Sequence, residues 1–156
     1  MRLPRRRFLG SGAVLLAGLG AAGLVRAGPA VARPWNKAAF EARTLKDTLA
    51  ALGGENATES KDIEFVDPTP GVAENGDVVP IAVSSKVPGT RWIGILVEKN
   101  PVMLSASFNI PERTEAFVST RVKMVETSGV IAVAKAGEKY FYARKEIQVT
   151  QCGCGG

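Results

Sequence analysis

Both cysteines of the chain lie in its last five residues, as Cys152 and Cys154. The positions around them are filled by Gly153, Gly155 and Gly156. The chain contains no histidine, so neither thiol can belong to a Ser-His-Asp-type triad or to a Cys-His pair. Glycine has no side chain to pack and adopts unusual backbone angles freely. The tail therefore predicts a flexible arm over residues 151–156 whose chemistry is that of an exposed thiol.

The predicted arm has no means of activating its own thiols. A cysteine reacts as the thiolate, which is a minor species at neutral pH unless a base or cation lies close to it. The nearest cations in the sequence are Arg144 and Lys145, which precede the arm. An extended chain from Thr150 to Cys154 reaches roughly 13 Å, enough to enter a narrow channel in another protein. We interpret the arm as a carrier of a group on Cys154 that other proteins activate.

The tail allows three other interpretations. A frayed terminus with incidental cysteines is disfavoured, because exposed thiols oxidise or cross-link in an oxidising compartment. Copper delivery is a second interpretation, since paired thiolates suit cuprous ion, although Met103 and Met124 fall on predicted strands away from the tail. Thiol–disulfide exchange between Cys152 and Cys154 is the third, and it lacks a group that would lower a thiol pKa.

Residues 1–32 are predicted to be a secretory signal. Arg5 and Arg6 stand ahead of a Phe-Leu pair and an apolar run, Gly12–Val25, and small residues follow. This order is typical of the twin-arginine export route. The run has about 14 residues against the roughly 20 that a helix needs to span a bilayer, so a cleaved signal is favoured over a membrane anchor. We expect cleavage after Ala32, with Ala27 as the alternative, and a periplasmic mature protein.

The positive charge of the chain belongs to this signal. The net charge is +5, and residues 1–32 contain five arginines and no acidic residue, so the remainder is neutral. A nucleic-acid or anionic-membrane partner loses its main support, because such binding depends on clustered positive charge. The acidic residues are scattered, and no glycine-rich loop lies between a strand and a helix. Paired catalytic carboxylates and phosphate binding are therefore not predicted.

The body between signal and arm is predicted to be mostly β. Apolar residues at helical spacing predict one amphipathic helix over Trp35–Leu52, ended by Gly53 and Gly54. After it, period-two alternation and turn residues indicate short strands. The predicted strands are Ile63–Val66, Val78–Val83, Trp92–Val97, Val102–Ile110, Ala116–Met124, Val130–Val133 and Tyr140–Val149.

Seven short strands at this spacing predict an immunoglobulin-like antiparallel β-sandwich over residues 33–150, with a small barrel as the alternative. The strand order is left open by the sequence. Apolar residues on both faces of Trp92–Val97 indicate a strand that is covered on two sides. The cover is either a second protein or the two layers of the sandwich itself.

The tail and body together resemble the SoxY family of sulfur carriers in thiosulfate oxidation. The arm of that family ends in Gly-Gly-Cys-Gly-Gly, and residues 153–156 match its last four positions. The twin-arginine signal, the N-terminal helix and the β-rich body, including Ala73–Pro80, are also similar. Cys152 stands where the family has the first glycine of its arm.

The resemblance implies that Cys154 covalently holds thiosulfate-derived sulfur while periplasmic enzymes act on it. A c-type cytochrome would couple the substrate oxidatively, a hydrolase would release sulfate, and a dehydrogenase would oxidise the remaining sulfane sulfur. The resemblance also implies a heterodimer with a SoxZ-like β-sandwich subunit, no enzymatic activity in this chain and no cofactor besides the bound sulfur. Three roles are open for Cys152 as an auxiliary thiol: resolving a persulfide, capping the resting arm, or none.

Overall fold

A computed structural model describes residues 36–151, in which two β-sheets pack face to face and two short helices cover the larger sheet. The predicted signal with Arg5 and Arg6, both cysteines and the three arm glycines lie outside the described residues. Within residues 36–151, no helix is long and apolar enough to cross a membrane. The elements are α1 (Lys37–Glu41), α2 (Leu45–Leu52), β1 (Thr58–Glu59), β2 (Ile63–Val66), β3 (Val72–Ala73), β4 (Val79–Ser85), β5 (Thr90–Val97), β6 (Leu104–Asn109), β7 (Phe117–Val122), β8 (Ser128–Ala136) and β9 (Lys139–Val149).

The predicted N-terminal helix is present but divided into α1 and α2. Ala42 and Thr44 adopt extended backbone angles between the two helices. The Thr44 side chain accepts a hydrogen bond of 3.1 Å from the backbone N–H of Asp47, which satisfies a first-turn donor of α2. Asn36 caps α1 in the same way through Ala39. The second helix ends, as expected, at Gly53, whose φ of 81° is the left-handed conformation that favours glycine.

The sandwich prediction is confirmed. The larger sheet has the order β1-β9-β8-β5-β6, with β3 also pairing with β9, and the smaller sheet has the order β2-β4-β7. All seven predicted strands are present, and the pairing is antiparallel except for the two-residue strands β1 and β3, which run parallel to β9. Alternate residues of each sheet meet in a shared core that contains Ile81, Ile95 and Ile147, all fully buried.

The chain itself covers both faces of β5. Ile93 and Ile95 point into the core between the sheets, whereas Leu96 belongs to a second core cluster beneath the helices, with Ile131 and Tyr140. The two-sided apolar pattern of β5 is therefore explained by the helix layer and the smaller sheet. It gives no sign of a partner protein at this strand.

The strand register brings three loops to the end of the sandwich where β9 finishes. Ser128 at the start of β8 pairs with Ile147 near the end of β9. The end of β5 pairs with the start of β8, and the start of β4 pairs with the end of β7. The loops at this end span residues 74–78, 98–103 and 123–127.

Candidate functional site

The predicted attachment residue, Cys154, and the auxiliary thiol, Cys152, lie outside the described residues, but the point from which they extend is described. Gln151 directly precedes Cys152 in the chain. Covalent geometry therefore places the Cα atom of Cys154 at most roughly 11 Å from that of Gln151. The position of Gln151 therefore limits the region that the Cys154 thiol can reach.

Backbone hydrogen bonds hold the chain as far as Gln151. The N–H of Thr150 donates to the carbonyl of Ala73 at 3.0 Å, and the N–H of Gln151 donates to that of Glu74 at 3.2 Å. The carbonyl of Gln151 in turn accepts from the N–H of Gly76 at 3.0 Å. The ladder between β3 and β9 thus continues past the end of β9 and includes residue 151, the first residue of the predicted arm. The reach available to Cys154 is accordingly shorter than the sequence alone suggests.

The three loops at this end are hydrogen-bonded to one another and to the held chain. The N–H of Met124 donates to the carbonyl of Gly76 at 2.7 Å. The Asn100 side chain donates to the carbonyl of Lys123 at 2.7 Å and accepts from the N–H of Val125 at 3.2 Å. One connected network therefore runs from loop 98–103 to Gln151. We name this surface the arm-root platform; it comprises residues 72–78, 98–103, 123–127 and 148–151.

The two cations closest to the arm in sequence, and two cations of the platform, each contact another group. Arg144 forms a two-pronged ion pair with Glu98, at 2.8 and 3.0 Å, and Lys145 donates to the carbonyl of Thr69 at 3.0 Å. On the platform, Lys123 lies 3.1 Å from Asp77 and Lys99 lies 3.6 Å from Glu126. Each of these four cations therefore already has a partner within the described residues.

The Glu98–Arg144 pair fixes the start of loop 98–103. The pair fits there because Gly129 has no side chain: a Cβ atom at this position would overlap Oε2 of Glu98. The hydrogen bond from Arg144 is the main cause that holds the pKa of Glu98 below its ordinary value. The same bond raises the pKa of Arg144.

We expect Glu98→Gln to lower the free energy of unfolding by about 0.5–1 kcal/mol at neutral pH, because a two-pronged pair lies in the upper part of the range for partly exposed pairs. A lowered folded-state pKa means that the stabilisation is present above the unfolded-state pKa and is lost as the pH falls through the folded-state pKa. The difference from the wild type should therefore shrink toward about pH 2. Urea unfolding at both pH values measures it, with Glu126→Gln as the control that changes little. An equal decrease in the free energy of unfolding at both pH values would show that the charge of Glu98 does not contribute to stability.

The copper interpretation gains nothing from the described residues. Met103 is 4% exposed and Met124 is fully buried, so neither thioether is available to bind an ion beside the arm. Within residues 36–151, the side chains also form no cluster of three or more His, Cys, Asp or Glu that could hold a metal.

The platform is not predicted by the sequence, although Asn75-Gly76 and Asn100-Pro101 have the residue types of turns. Nothing in their local pattern indicates that Gly76 bonds to Gln151 and Met124. The segment Ala73–Pro80, which carried part of the family resemblance, turns out to contain the residues that hold the arm root. That similarity was the one available signal for the site.

Comparisons with known proteins agree with the resemblance. A family model described as sulfur oxidation protein SoxY matches residues 49–154, a span that includes Cys152 and Cys154. The sulfur carrier protein SoxY from Chlorobium limicola f thiosulfatophilum is 33% identical over 67% of this chain and 94% of that chain, with a TM-score of 0.58. A superoxide reductase (neelaredoxin) from Ignicoccus hospitalis is 23% identical over 58% of this chain and 82% of that chain, with a TM-score of 0.48. No curated protein sequence matched the chain.

Proposed function

The chain belongs to the SoxY family of sulfur oxidation proteins, and we propose that it holds thiosulfate-derived sulfur covalently on Cys154 and presents it to sulfur-oxidising enzymes. The observation that carries the proposal is the hydrogen-bonded anchorage of Gln151, three residues before Cys154. It supports a working thiol on a short tether rather than an incidental terminus. Intact mass spectrometry of the mature protein after exposure to thiosulfate and a cell extract tests it, since each bound sulfur species adds a defined mass.

The chemistry assigned to this chain is that of a carrier and not of an enzyme. Oxidative coupling joins the Cys154 sulfur to the sulfane sulfur of thiosulfate and releases two electrons, which a c-type cytochrome accepts. Hydrolysis then releases sulfate and leaves a persulfide on Cys154, and a dehydrogenase oxidises that sulfur further. Because the cations beside the arm root are paired with other groups, the enzymes supply the activation at each step. In this proposal the protein has no cofactor of its own, and the sulfur on Cys154 is substrate.

We further propose that the protein works in the periplasm after export by the twin-arginine route. The support is the Arg5-Arg6 pair ahead of a short apolar run. Thiol chemistry on thiosulfate also suits a compartment in which the exported enzymes of the pathway meet their substrate. Cleavage after Ala32 would leave a neutral mature chain, as the charge distribution of the sequence indicates.

A heterodimer with a SoxZ-like β-sandwich subunit is the proposed resting assembly. The open edge of the larger sheet supports it, because β6 pairs only with β5 and its residues, Leu104–Asn109, include neither a charge nor a proline. Charges and prolines are the usual protection of an exposed edge strand, and their absence favours pairing with another protein.

We expect the mature protein to co-purify from the periplasm with a second subunit and to elute as a heterodimer. Ser107→Lys, which adds a charge to the exposed edge strand β6, should weaken that association. Gln148→Lys adds the same charge to β9, which is paired on both sides, and should leave it intact. Size-exclusion chromatography with mass detection measures the assembly. A stable monomer at physiological concentration would contradict the proposed heterodimer.

A further inference from the structure

Four large hydrophobic side chains are exposed in the described part of the chain, and their distribution is uneven. Val72, Val78 and Val102 are 53%, 55% and 45% exposed, and Phe117 is 45% exposed. The three valines all belong to the arm-root platform. Phe117 lies at the other end of β7, five residues from Val122, a separation of roughly 17 Å along an extended strand.

Each valine is tied to the arm root by the platform's backbone. Val72 pairs with Gln148 in the parallel ladder of β3 and β9. Val78 is two residues from Gly76, which bonds to Gln151; it points away from the core because the next residue along the strand is fully buried. Val102 lies in the loop that Asn100 fastens to residues 123–125.

From this placement we infer that the platform is a docking surface, on which Val72, Val78 and Val102 contact an apolar rim around the channel mouth of each enzyme that acts on Cys154. The inference rests on the proposed function and adds to it the surface by which the carrier is recognised. It commits to one kind of occupant, an enzyme whose reacting centre lies at the bottom of a channel with apolar residues around its mouth.

The length of chain beyond Gln151 is the argument for that occupant. Because the Cα atom of Cys154 can lie at most roughly 11 Å from that of Gln151, a reacting centre inside another protein must come close to the carrier body. The walls of any channel around the arm must then lie against the surface from which the arm extends. Contact with the platform is a geometric requirement of the reaction, and the apolar residues there make such contact favourable.

The charges of the platform are compatible with being covered. Asp77 is paired with Lys123, and Lys99 with Glu126, so these ions keep a counterion when an enzyme displaces part of their water. Unpaired charges would make the same contact costly. The surface therefore combines exposed apolar side chains with two ion pairs, and Glu74 adds one exposed carboxylate that can stay in water at its margin.

The test compares Val72→Asp, Val78→Asp and Val102→Asp with Phe117→Asp as the matched control for exposure. All four are made in a Cys152→Ser background, so that only Cys154 reacts. Tetrathionate loads each protein: the Cys154 thiolate attacks a central sulfur, forms the Cys–S–S–SO₃⁻ adduct and releases thiosulfate. The purified sulfate-releasing hydrolase of the same organism is then assayed with each loaded carrier.

Each valine substitution should raise the KM of the hydrolase for the carrier roughly tenfold, because a tenfold change corresponds to the loss of one buried valine contact. The kcat should stay unchanged, because the contact is equally strong before and during the reaction. The Phe117→Asp carrier should behave as the parent. Equal KM values for all four carriers would overturn the inference. A loss of the heterodimer in the valine variants would also overturn it, since the surface would then belong to a subunit interface.

Failure of the proposed function has a different signature. If native thiosulfate turnover places no adduct on Cys154, the carrier proposal fails whatever the KM values are. If Cys154 carries the adduct but the valine variants are processed normally, only the docking surface is wrong. Chemical loading by tetrathionate reports the accessibility of the thiol separately and should be equal in all four proteins.

Discussion

Cys154→Ser is expected to abolish both thiosulfate-dependent mass adducts and sulfur-carrier function. A hydroxyl cannot form the sulfur–sulfur bond on which the proposed cycle depends, so no partial activity should remain. The position is the outermost one from which a thiol can enter a channel, because residue 154 stands three residues beyond the anchored Gln151. Peptide mapping of the protein after thiosulfate turnover measures the adducts, and reconstituted thiosulfate oxidation measures the function.

Cys152→Ser is the matched control, and it should retain adducts on Cys154. Cys152 is joined directly to Gln151, whose backbone is held by two hydrogen bonds, so its Cα atom stays within about 3.8 Å of an anchored residue. It is therefore poorly placed to penetrate another protein. More intermolecular disulfide dimer in this variant would indicate that Cys152 normally caps the resting thiol.

The pair of variants also separates the alternatives. A thiol–disulfide exchanger requires both thiols, so either change would inactivate it. A copper-delivery protein would lose its metal with either change. Adducts that survive on Cys152 in the Cys154→Ser protein would contradict the assignment of the attachment site.

Changing both Arg5 and Arg6 to lysine is expected to block export. The twin-arginine route recognises the arginine pair itself, so lysines with the same charge should not replace it. The protein should then accumulate inside the cell with Met1 or its neighbour as the first residue. Sequencing the N-terminus of the periplasmic wild-type form should find Arg33.

The control for export is Arg7→Lys, which keeps the Arg5-Arg6 pair and changes the adjacent arginine. Its export should resemble that of the wild type. Unchanged export of the double variant, or a periplasmic protein that keeps Met1, would contradict the predicted signal. Because the carrier domain is unchanged in these variants, a loss of export cannot be attributed to misfolding of the domain.

Much of the β-sandwich could be predicted from local pattern, because burial in a two-layer fold imposes period-two alternation on each strand. The core residues Val118 and Val122 of β7 follow that rule, with exposed residues between them. The pattern predicts one helix where the structure has a break between α1 and α2, although Thr44 and Asp47 have the spacing of a helix-capping pair. Both helices pack on the same face of the larger sheet, so the apolar periodicity continues across the break. This periodicity is typical of one continuous helix and outweighs the local signal of the Thr44 cap.

The sequence by itself determined the features on which the proposed chemistry rests: a thiol at Cys154 among glycines, no histidine in the chain and a pattern typical of an export signal in residues 1–32. Those properties depend on residue type and position along the chain. The tertiary structure alone decided what surrounds the arm root. Gly76, Asn100 and Met124 are far apart in sequence. The strand register brings their loops to one end of the sandwich, where Gly76 bonds to both Gln151 and Met124 and Asn100 bonds to the neighbours of Met124. Hydrogen bonds between such loops depend on long-range strand pairing, which a local pattern of residues does not encode.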